Sequence, residues 1–267
     1  MSPSIETTLN SLRQRGFKEW LAEDTDEARE IITGMISPEA VVGIGDSSTV
    51  RQIGVIGTLQ SRGNLVLNAF NPEAKIIDLK THFNYAFWPM IEATVCDVFL
   101  TGTNALTEDG IIVNIDGVGN RVAGMFWGHP VSILVVGKNK LTKNLEEALR
   151  RIKNVVAPEH IRRKGGSSPC VKTGKCHDCS GEKRVCAVTT VIAHKPLFTE
   201  INVVVVNEDL GLSWDRTWSR KRITSIANHH EQFMCPLPPD AGPSTAKELL
   251  RMARAKSPRV VPTCNDE

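Results

Sequence analysis

The stretch Val131-Ser132-Ile133-Leu134-Val135-Val136-Gly137 decides the fold class. A continuous apolar strand of this kind is typical of a parallel sheet, because such sheets are covered on both faces. Similar strand-like runs occupy residues 40–44, 97–102, 187–192 and 201–206, and helix-like segments alternate with them. The alternation predicts an α/β fold built on a parallel sheet.

The chain divides into one main domain and a tail. Residues 1–212 are expected to form a single α/β domain. Residues 213–267 contain several prolines and are expected to form an irregular tail with a short helix at 244–255. Residues 162–186 are rich in Lys, Gly, Ser and Cys and have no apolar period, so they are predicted to form a cysteine-rich loop inserted between strands.

Composition excludes several classes of protein. The 267 residues carry 32 Lys+Arg against 30 Asp+Glu, a formal net charge of +2, whereas a dedicated nucleic-acid binder needs a strong basic excess. No apolar run approaches the roughly 20 residues that cross a bilayer. Residues 1–15 lack the apolar segment of a secretory signal. We therefore expect a cytoplasmic protein without nucleic-acid or membrane partners.

Two local predictions concern residues 110–158. The strand at 110–115 is expected to turn at Asp116-Gly117 into a partner strand that begins near Asn120. Residues 141–155 are expected to form a helix that Pro158 limits, because proline lacks the backbone N–H that an interior helical position donates.

A glycine-rich turn follows the first apolar run and precedes a helix-like segment. Backbone N–H groups at a helix N-terminus favour an anion, and hydroxyl side chains add donors, so a phosphate or carboxylate is the expected ligand. The alternative is that a serine of this turn simply caps the helix. The candidate binding residues are Gly43, Gly45, Ser47, Ser48 and Thr49.

A second polar cluster begins at the end of the strand at 97–102. Ligands of open α/β sheets bind outside the carboxyl ends of the strands, and Arg121 offers a planar fork suited to a carboxylate or phosphate. The alternative is a hairpin with one structural Arg–Asp pair. The candidate substrate-binding residues are Thr101, Gly102, Thr103, Asn104, Asn114, Asn120 and Arg121.

Four cysteines, Cys170, Cys176, Cys179 and Cys186, lie within seventeen residues. Their C-x5-C-x2-C-x6-C spacing predicts that they are metal ligands, and it suits an iron–sulfur cluster at least as well as zinc. Nearby basic residues would offset the negative charge of a four-thiolate cluster. His177 is a candidate fifth ligand, and the alternative is an exposed loop histidine. The remaining alternative is a set of reduced, redox-active thiols.

These motifs together resemble the lactate-utilisation (LUD) domain family. The resemblance is carried by residues 101–110, 113–117 and 119–122, and is extended by 136–140, 151–152, 157–158, 169–170, 173–176 and 206–211. It covers residues 5 to 212. It implies a fold like that of sugar-phosphate isomerases and coenzyme A transferases, with a parallel sheet sandwiched by helices. In those relatives the glycine-rich turn and the Thr-Gly-x-Asn segment line the ligand pocket.

The resemblance also carries functional expectations. Some family members take part in oxidising L-lactate to pyruvate alongside iron–sulfur subunits, whereas the four-cysteine loop marks a separate branch. We therefore expect the protein to bind a small anionic metabolite, such as a 2-hydroxy or 2-keto acid, and a Cys-ligated cluster of the 4Fe-4S type. It would act as an oxidoreductase component together with an electron-transfer partner protein, and it is a candidate homo-oligomer. By position, Glu108 is the candidate for the nucleophilic glutamate of coenzyme A transferases. Arg121 is a second candidate catalytic residue, and its side chain would bind a carboxylate. The alternative is a non-catalytic metabolite sensor with structural zinc.

Overall fold

The computed structural model describes residues 3–68, 90–91, 93–163, 166–181, 183–211 and 218–225. The helix predicted at 244–255, with nearly all of the predicted tail, lies outside the described residues. Ten strands are described: β1 Lys18–Ala22, β2 Val42–Ile44, β3 Val66–Leu67, β4 Val98–Gly102, β5 Ala105–Thr107, β6 Ile112–Asp116, β7 Val131–Gly137, β8 Leu141–Thr142, β9 Val188–Ile192 and β10 Glu200–Val206.

The main sheet has six strands in the order β1-β10-β7-β4-β2-β3, and all of its pairings are parallel. Its central strand β7 is the apolar run that begins at Val131. Ile133 and Val135 pack into the core on one face, and Leu134 and Val136 into the core on the other. Because both faces of this strand are buried, the α/β fold with a parallel sheet is confirmed.

Helices cover one face of the main sheet, and helices with a second sheet cover the other. The helices are α1 Ile5–Gln14, α2 Thr25–Met35, α3 Ser48–Gln52, α4 Val55–Arg62, α5 Asn120–Ala123, α6 Leu145–Arg151, α7 Ala157–Arg163 and α8 Pro169–Thr173. Apolar residues of α2, α3 and α4 fill the first core, and those of α1, α5 and the second sheet fill the other. In the described part of the chain, no helix combines the length and apolar character needed to span a bilayer.

The second sheet has the strand order β8-β5-β6-β9 and corrects the hairpin prediction. Strand β6 pairs antiparallel with β5 and β9, and the residues that follow it form α5 instead of a partner strand. The cause is local, because the Asp116 carboxylate accepts hydrogen bonds from the N–H groups of Val118 and Gly119, each at 3.0 Å. Such an Asx turn competes with strand pairing and here leads into a helix.

The helix after β8 also differs from the prediction. It begins at Leu145, where the Asn144 side chain caps it, and it continues past Val155. A π-helical segment, Ile152–Val156, joins α6 to α7 without a break. Pro158 lies in the first turn of α7, where the shifted hydrogen-bond pattern of the π segment accommodates the missing N–H, so the prediction that it limits the helix was wrong.

Buried His129 joins β7 to the segment before β4 and makes folding pH-dependent. Its Nε2 lies 2.8 Å from Ser132 Oγ, its Nδ1 lies 3.2 Å from the Thr94 carbonyl oxygen, and burial lowers its pKa. The unfolded chain therefore binds this proton more readily, and His129 costs stability as the pH falls below about 6.5. When unfolding by urea is measured, the difference in the free energy of unfolding between wild type and His129→Asn should be smaller at pH 5 than at pH 7.

Candidate functional site

The carboxyl ends of β2, β4, β7 and β10 meet at one edge of the main sheet, where both predicted polar clusters begin. The two turns approach closely: a Cβ on Gly45 would lie 2.7 Å from Thr101 Oγ1, and a Cβ on Gly102 would lie 2.5 Å from Ser47 Oγ. Both glycines are therefore required for this contact between the turns. The structure brings the glycine-rich turn and the Thr-Gly-x-Asn segment together.

The glycine-rich turn has a structural role as well. Ser47 Oγ accepts a hydrogen bond from Val50 N–H at 3.3 Å, which is the capping that the sequence offered as an alternative. Helix α3, which begins at Ser48, has only five residues, so its dipole is small. Gly43 lies against the segment before β4, because a Cβ there would be 1.8 Å from the carbonyl oxygen of Ala93.

Arg121 is the centre of a buried network. Its two terminal nitrogens donate to the Gly102 and Ile115 carbonyl oxygens, at 3.3 and 2.9 Å, and to the side-chain oxygens of Asn114 and Asn104, at 3.0 and 3.2 Å. Its Nε lies 3.2 Å from the Asp116 carboxylate. Burial lowers the pKa of Arg121, and the charge of Asp116 opposes that shift. The donors of Arg121 are thus engaged by the protein itself, and a ligand would have to displace one of these acceptors.

The asparagines beside Arg121 tie β6 to the end of β4. Asn114 Oδ1 accepts from Asn104 N–H at 2.9 Å and from Thr103 Oγ1 at 3.2 Å, and Asn104 Oδ1 accepts from Ile115 N–H at 2.9 Å. Asn120 opens α5. Asn114 Nδ2 and Thr101 Oγ1, both buried at this edge, have no hydrogen-bond partner among the residues that the structure describes. Because buried polar groups are nearly always paired, these atoms mark positions where a ligand or water could bind.

Glu108, the candidate nucleophile, lies beyond the end of β5 in the second sheet. Its carboxylate forms an ion pair with Lys143 at 2.8 Å and accepts a hydrogen bond from Ser4 N–H at 2.6 Å. The Lys143 hydrogen bond lowers the pKa of Glu108, with a further contribution from Ser4. Glu108 is therefore ionised and joins the N-terminus of the described chain to the segment after β8.

Sequence reasoning missed Lys140, Gln52 and Gly211 at the sheet edge. Lys140 follows β7, is only 6% exposed, and its Nζ lies 2.6 Å from Thr49 Oγ1. Burial, with the nearby charges of Arg151 and Arg121, lowers the pKa of Lys140 to about 7. Gln52 Oε1 accepts from Gly211 N–H at 2.5 Å. The available signal was a lysine in the short segment that follows the apolar strand β7.

The four clustered cysteines line one cavity. Apolar side chains from the end of β6 and from α7, including Ile115, Ala157 and Ile161, complete its wall. Burial, followed by the charges of the other three thiols, raises the pKa of Cys186 to about 11. The pKa of Cys170 is raised by burial and by the charges of Cys179 and Cys176. The structure therefore places all four candidate cysteines around one cavity.

Polar contacts hold the loop around this cavity. Arg184 donates to the carbonyl oxygens of Cys186 and Cys179 at 2.7 and 2.8 Å, and its Nη1 lies 3.1 Å from the Asp178 carboxylate. Cys176 N–H donates to Asn154 Oδ1 at 2.8 Å, which ties the loop to the π segment. The side chain of Arg184, one of the basic residues expected to offset cluster charge, thus also fixes the loop backbone.

Metal coordination itself stays a prediction. Among the described residues, no group of three or more His, Cys, Asp or Glu side chains is arranged to hold a single metal ion. The four cysteines of the loop are free thiols. The ring of His177, the candidate fifth ligand, lines the same cavity, and its Nε2 lies 2.8 Å from Thr173 Oγ1.

Comparison with known proteins places the chain in a family. No curated protein matches it. A solved DUF162 family protein from Deinococcus radiodurans is 14% identical, with a TM-score of 0.41, over 76% of this chain and 96% of that one. The LUD domain matches residues 5–206, which includes the sheet edge and the four-cysteine loop. The chain therefore belongs to the LUD domain family.

Proposed function

We propose that this LUD protein binds a small 2-hydroxy or 2-keto acid at the carboxyl edge of its main sheet and carries a Cys-ligated iron–sulfur cluster in redox metabolism. Membership of the LUD family supports a role related to lactate utilisation. The observation that carries the redox half is the cavity shared by Cys170, Cys176, Cys179 and Cys186.

The sharing of one cavity by all four thiols supports a common inorganic centre. The thiols also influence one another's pKa, since the charges of the other three raise that of Cys186. Their C-x5-C-x2-C-x6-C spacing within a single segment suits an iron–sulfur cluster at least as well as zinc.

The surroundings also suit a thiolate-bound centre. Asp178 N–H donates to Cys176 Sγ at 3.4 Å, and the charge of Arg184 lowers the pKa of Cys186 against the larger effect of burial. Hydrogen bonds to sulfur and nearby positive charge both stabilise negative thiolates and tune the potential of a cluster. When bound, such a cluster supplies one-electron transfer. The protein's own part is to hold the four thiols in an apolar wall formed by Ile115, Ala157 and Ile161.

A comparison of two cysteine variants tests the redox half. Full-length protein purified without oxygen should absorb visible light and contain iron and acid-labile sulfide. Cys176→Ser should lose most of that absorbance and iron, because one of the four ligands is removed. Cys96→Ser is the matched control: Cys96 lies outside the loop, and burial raises its pKa to about 12. Equal iron loss in both variants, or no iron in the wild type, would contradict the proposal.

The second candidate function is a metabolite sensor with structural zinc. It is favoured by the Cys176-x2-Cys179 pair, in which the Asp178 N–H bonds to Cys176 Sγ and Asp178 adopts a positive φ of 43°. This local turn is compatible with a zinc knuckle. If the purified protein is colourless and contains one equivalent of zinc, and if Cys176→Ser loses that zinc, the sensor function is favoured over the iron–sulfur cluster.

A further inference from the structure

We propose that Lys140, Thr49 and Gln52 form the site for one anionic group of the ligand, a carboxylate or a phosphate, at the carboxyl edge of the main sheet. This inference takes the class of ligand from the proposed function, on which it therefore rests, and it names the residues that would bind the charged group of that ligand. Thr49 was already a candidate from the glycine-rich turn, whereas Lys140 and Gln52 were not. Thr49 and Gln52 lie in α3, and Lys140 lies in the segment after β7.

Three segments converge at this point. Lys140 follows β7, Thr49 lies in α3 after β2, and Gly211 lies beyond β10. The Lys140 Nζ to Thr49 Oγ1 distance is 2.6 Å, and a Cβ on Gly211 would lie 3.3 Å from Lys140 Nζ and 3.2 Å from Thr49 Oγ1. Gln52 Oε1, bound to Gly211 N–H, is thereby held at the same point. The cluster therefore joins groups from the ends of three parallel strands, where ligands of open α/β sheets bind.

The cluster is incomplete within the described residues. There, the only polar partner of Lys140 Nζ is Thr49 Oγ1, although an ammonium group has three N–H donors. Gln52 is only 1% exposed, and its Nε2 has no hydrogen-bond partner among the described residues. At the same edge, Thr101 Oγ1 and Asn114 Nδ2 are likewise buried without partners in the described part of the chain. Unsatisfied buried donors are costly, and the oxygens of an anion would satisfy them.

The local charge points to an anion as well. Arg121 and Arg151 face Lys140 from α5 and α6, and their charges, after burial, lower its pKa to about 7. Two nearby acids already have basic partners: Asp116 is paired with Arg121, and Asp46 with Arg51. Among the described residues, Glu208, after β10, has a buried Oε2 without a hydrogen-bond partner. An anionic ligand would pair with Lys140 and favour its protonated form.

This geometry predicts that anion binding takes up a proton. Above pH 7 the Lys140 amine is mostly neutral and must bind a proton before it can pair with an anion. The dissociation constant of the wild type should therefore rise by up to about tenfold per pH unit between pH 7.5 and pH 9. Lys140→Met should bind the anion about tenfold to a hundredfold more weakly at pH 7, since a hydrogen bond to a charged group is lost. That variant should also lose the pH dependence.

The experiment measures binding of pyruvate and of inorganic phosphate to the full chain by titration calorimetry, in two buffers of different ionisation enthalpy. Lys138→Met is the matched control, because Lys138 lies in the same turn and its exposed Nζ donates to Asn207 Oδ1 at 3.2 Å. Reductive methylation followed by mass spectrometry measures the same site independently: pyruvate or phosphate should protect Lys140 and leave Lys138 reactive. Thermal unfolding checks that both variants are folded.

The outcomes separate this inference from the proposed function. Protection of Lys140 by pyruvate, with binding lost in Lys140→Met, supports both. Protection by phosphate alone supports the anion site and removes the 2-keto acid from the proposed function. Pyruvate binding that is equally strong in Lys140→Met overturns the inference and leaves the proposed function intact. Absence of protection by either anion overturns the inference, while the iron content of the cysteine loop still tests the redox half separately.

Discussion

Replacing Arg121 with methionine is expected to lower the free energy of unfolding by about 3–5 kcal/mol. The Arg121 side chain joins the Gly102 and Ile115 carbonyl oxygens to Asp116, and both side chains of this ion pair are only 10% exposed. Without the guanidinium, the Asp116 charge stays buried without its partner. Arg121→Lys should recover only part of the loss, because an ammonium group cannot reproduce the planar fork that reaches these acceptors.

Urea unfolding measures this cost, and Arg13→Met provides the control. Arg13 forms its ion pair with Glu19 at the surface, where such pairs contribute less than about 1 kcal/mol. A double-mutant cycle with Asp116→Asn should show that much of the Arg121 effect depends on Asp116. If Arg121→Met were as stable as Arg13→Met, the role of Arg121 as the centre of the sheet edge would be wrong.

Gly43→Ala should lower stability by about 3 kcal/mol or more, or prevent folding. The added Cβ would lie 1.8 Å from the Ala93 carbonyl oxygen and 2.9 Å from Cys96 Sγ. The first of these atoms belongs to the backbone, so β2 and the segment before β4 must separate. Overpacking of a well-packed core costs about 1–3 kcal/mol, and a clash with backbone exceeds the usual case.

Gly57→Ala is the matched control for this substitution. Gly57 lies in α4, and a Cβ there would meet nothing within 4 Å. Alanine is the better helix former by about 1 kcal/mol, so this variant should be equal to wild type or more stable. Thermal and urea unfolding of the two variants make the comparison. A Gly43→Ala protein as stable as Gly57→Ala would mean that β2 does not pack against the segment before β4 in this way.

The sequence predicted the buried central strand correctly, but it did not predict two local features of the backbone. The apolar run of β7 predicted a strand buried on both faces, and the structure confirms it because helices and a second sheet cover its two sides. The hairpin prediction failed at Asp116, whose side chain competes for the backbone N–H groups of the turn. Pro158 was misjudged because a π-helical segment precedes it, and that segment has no clear sequence signature.

The site was predictable in position but not in the roles of its residues. Strand ends and glycines located the sheet edge, yet the acceptors around Arg121 come from β4 and β6, which only the tertiary fold brings together. Lys140 was missed because a lysine usually lies on the surface, whereas this one is buried by segments distant in sequence. The four cysteines were also predictable in position, because their short spacing keeps them within one loop, where they line one cavity.

The most direct test of the account is the metal and sulfide content of the full chain purified without oxygen, measured together with its Mössbauer spectrum. If the thiols of the loop share one iron–sulfur centre, iron and acid-labile sulfide should be present in equal amounts, with the spectrum of a 4Fe-4S cluster. A colourless protein that contains neither iron nor sulfide, and in which all four thiols react freely, would contradict it.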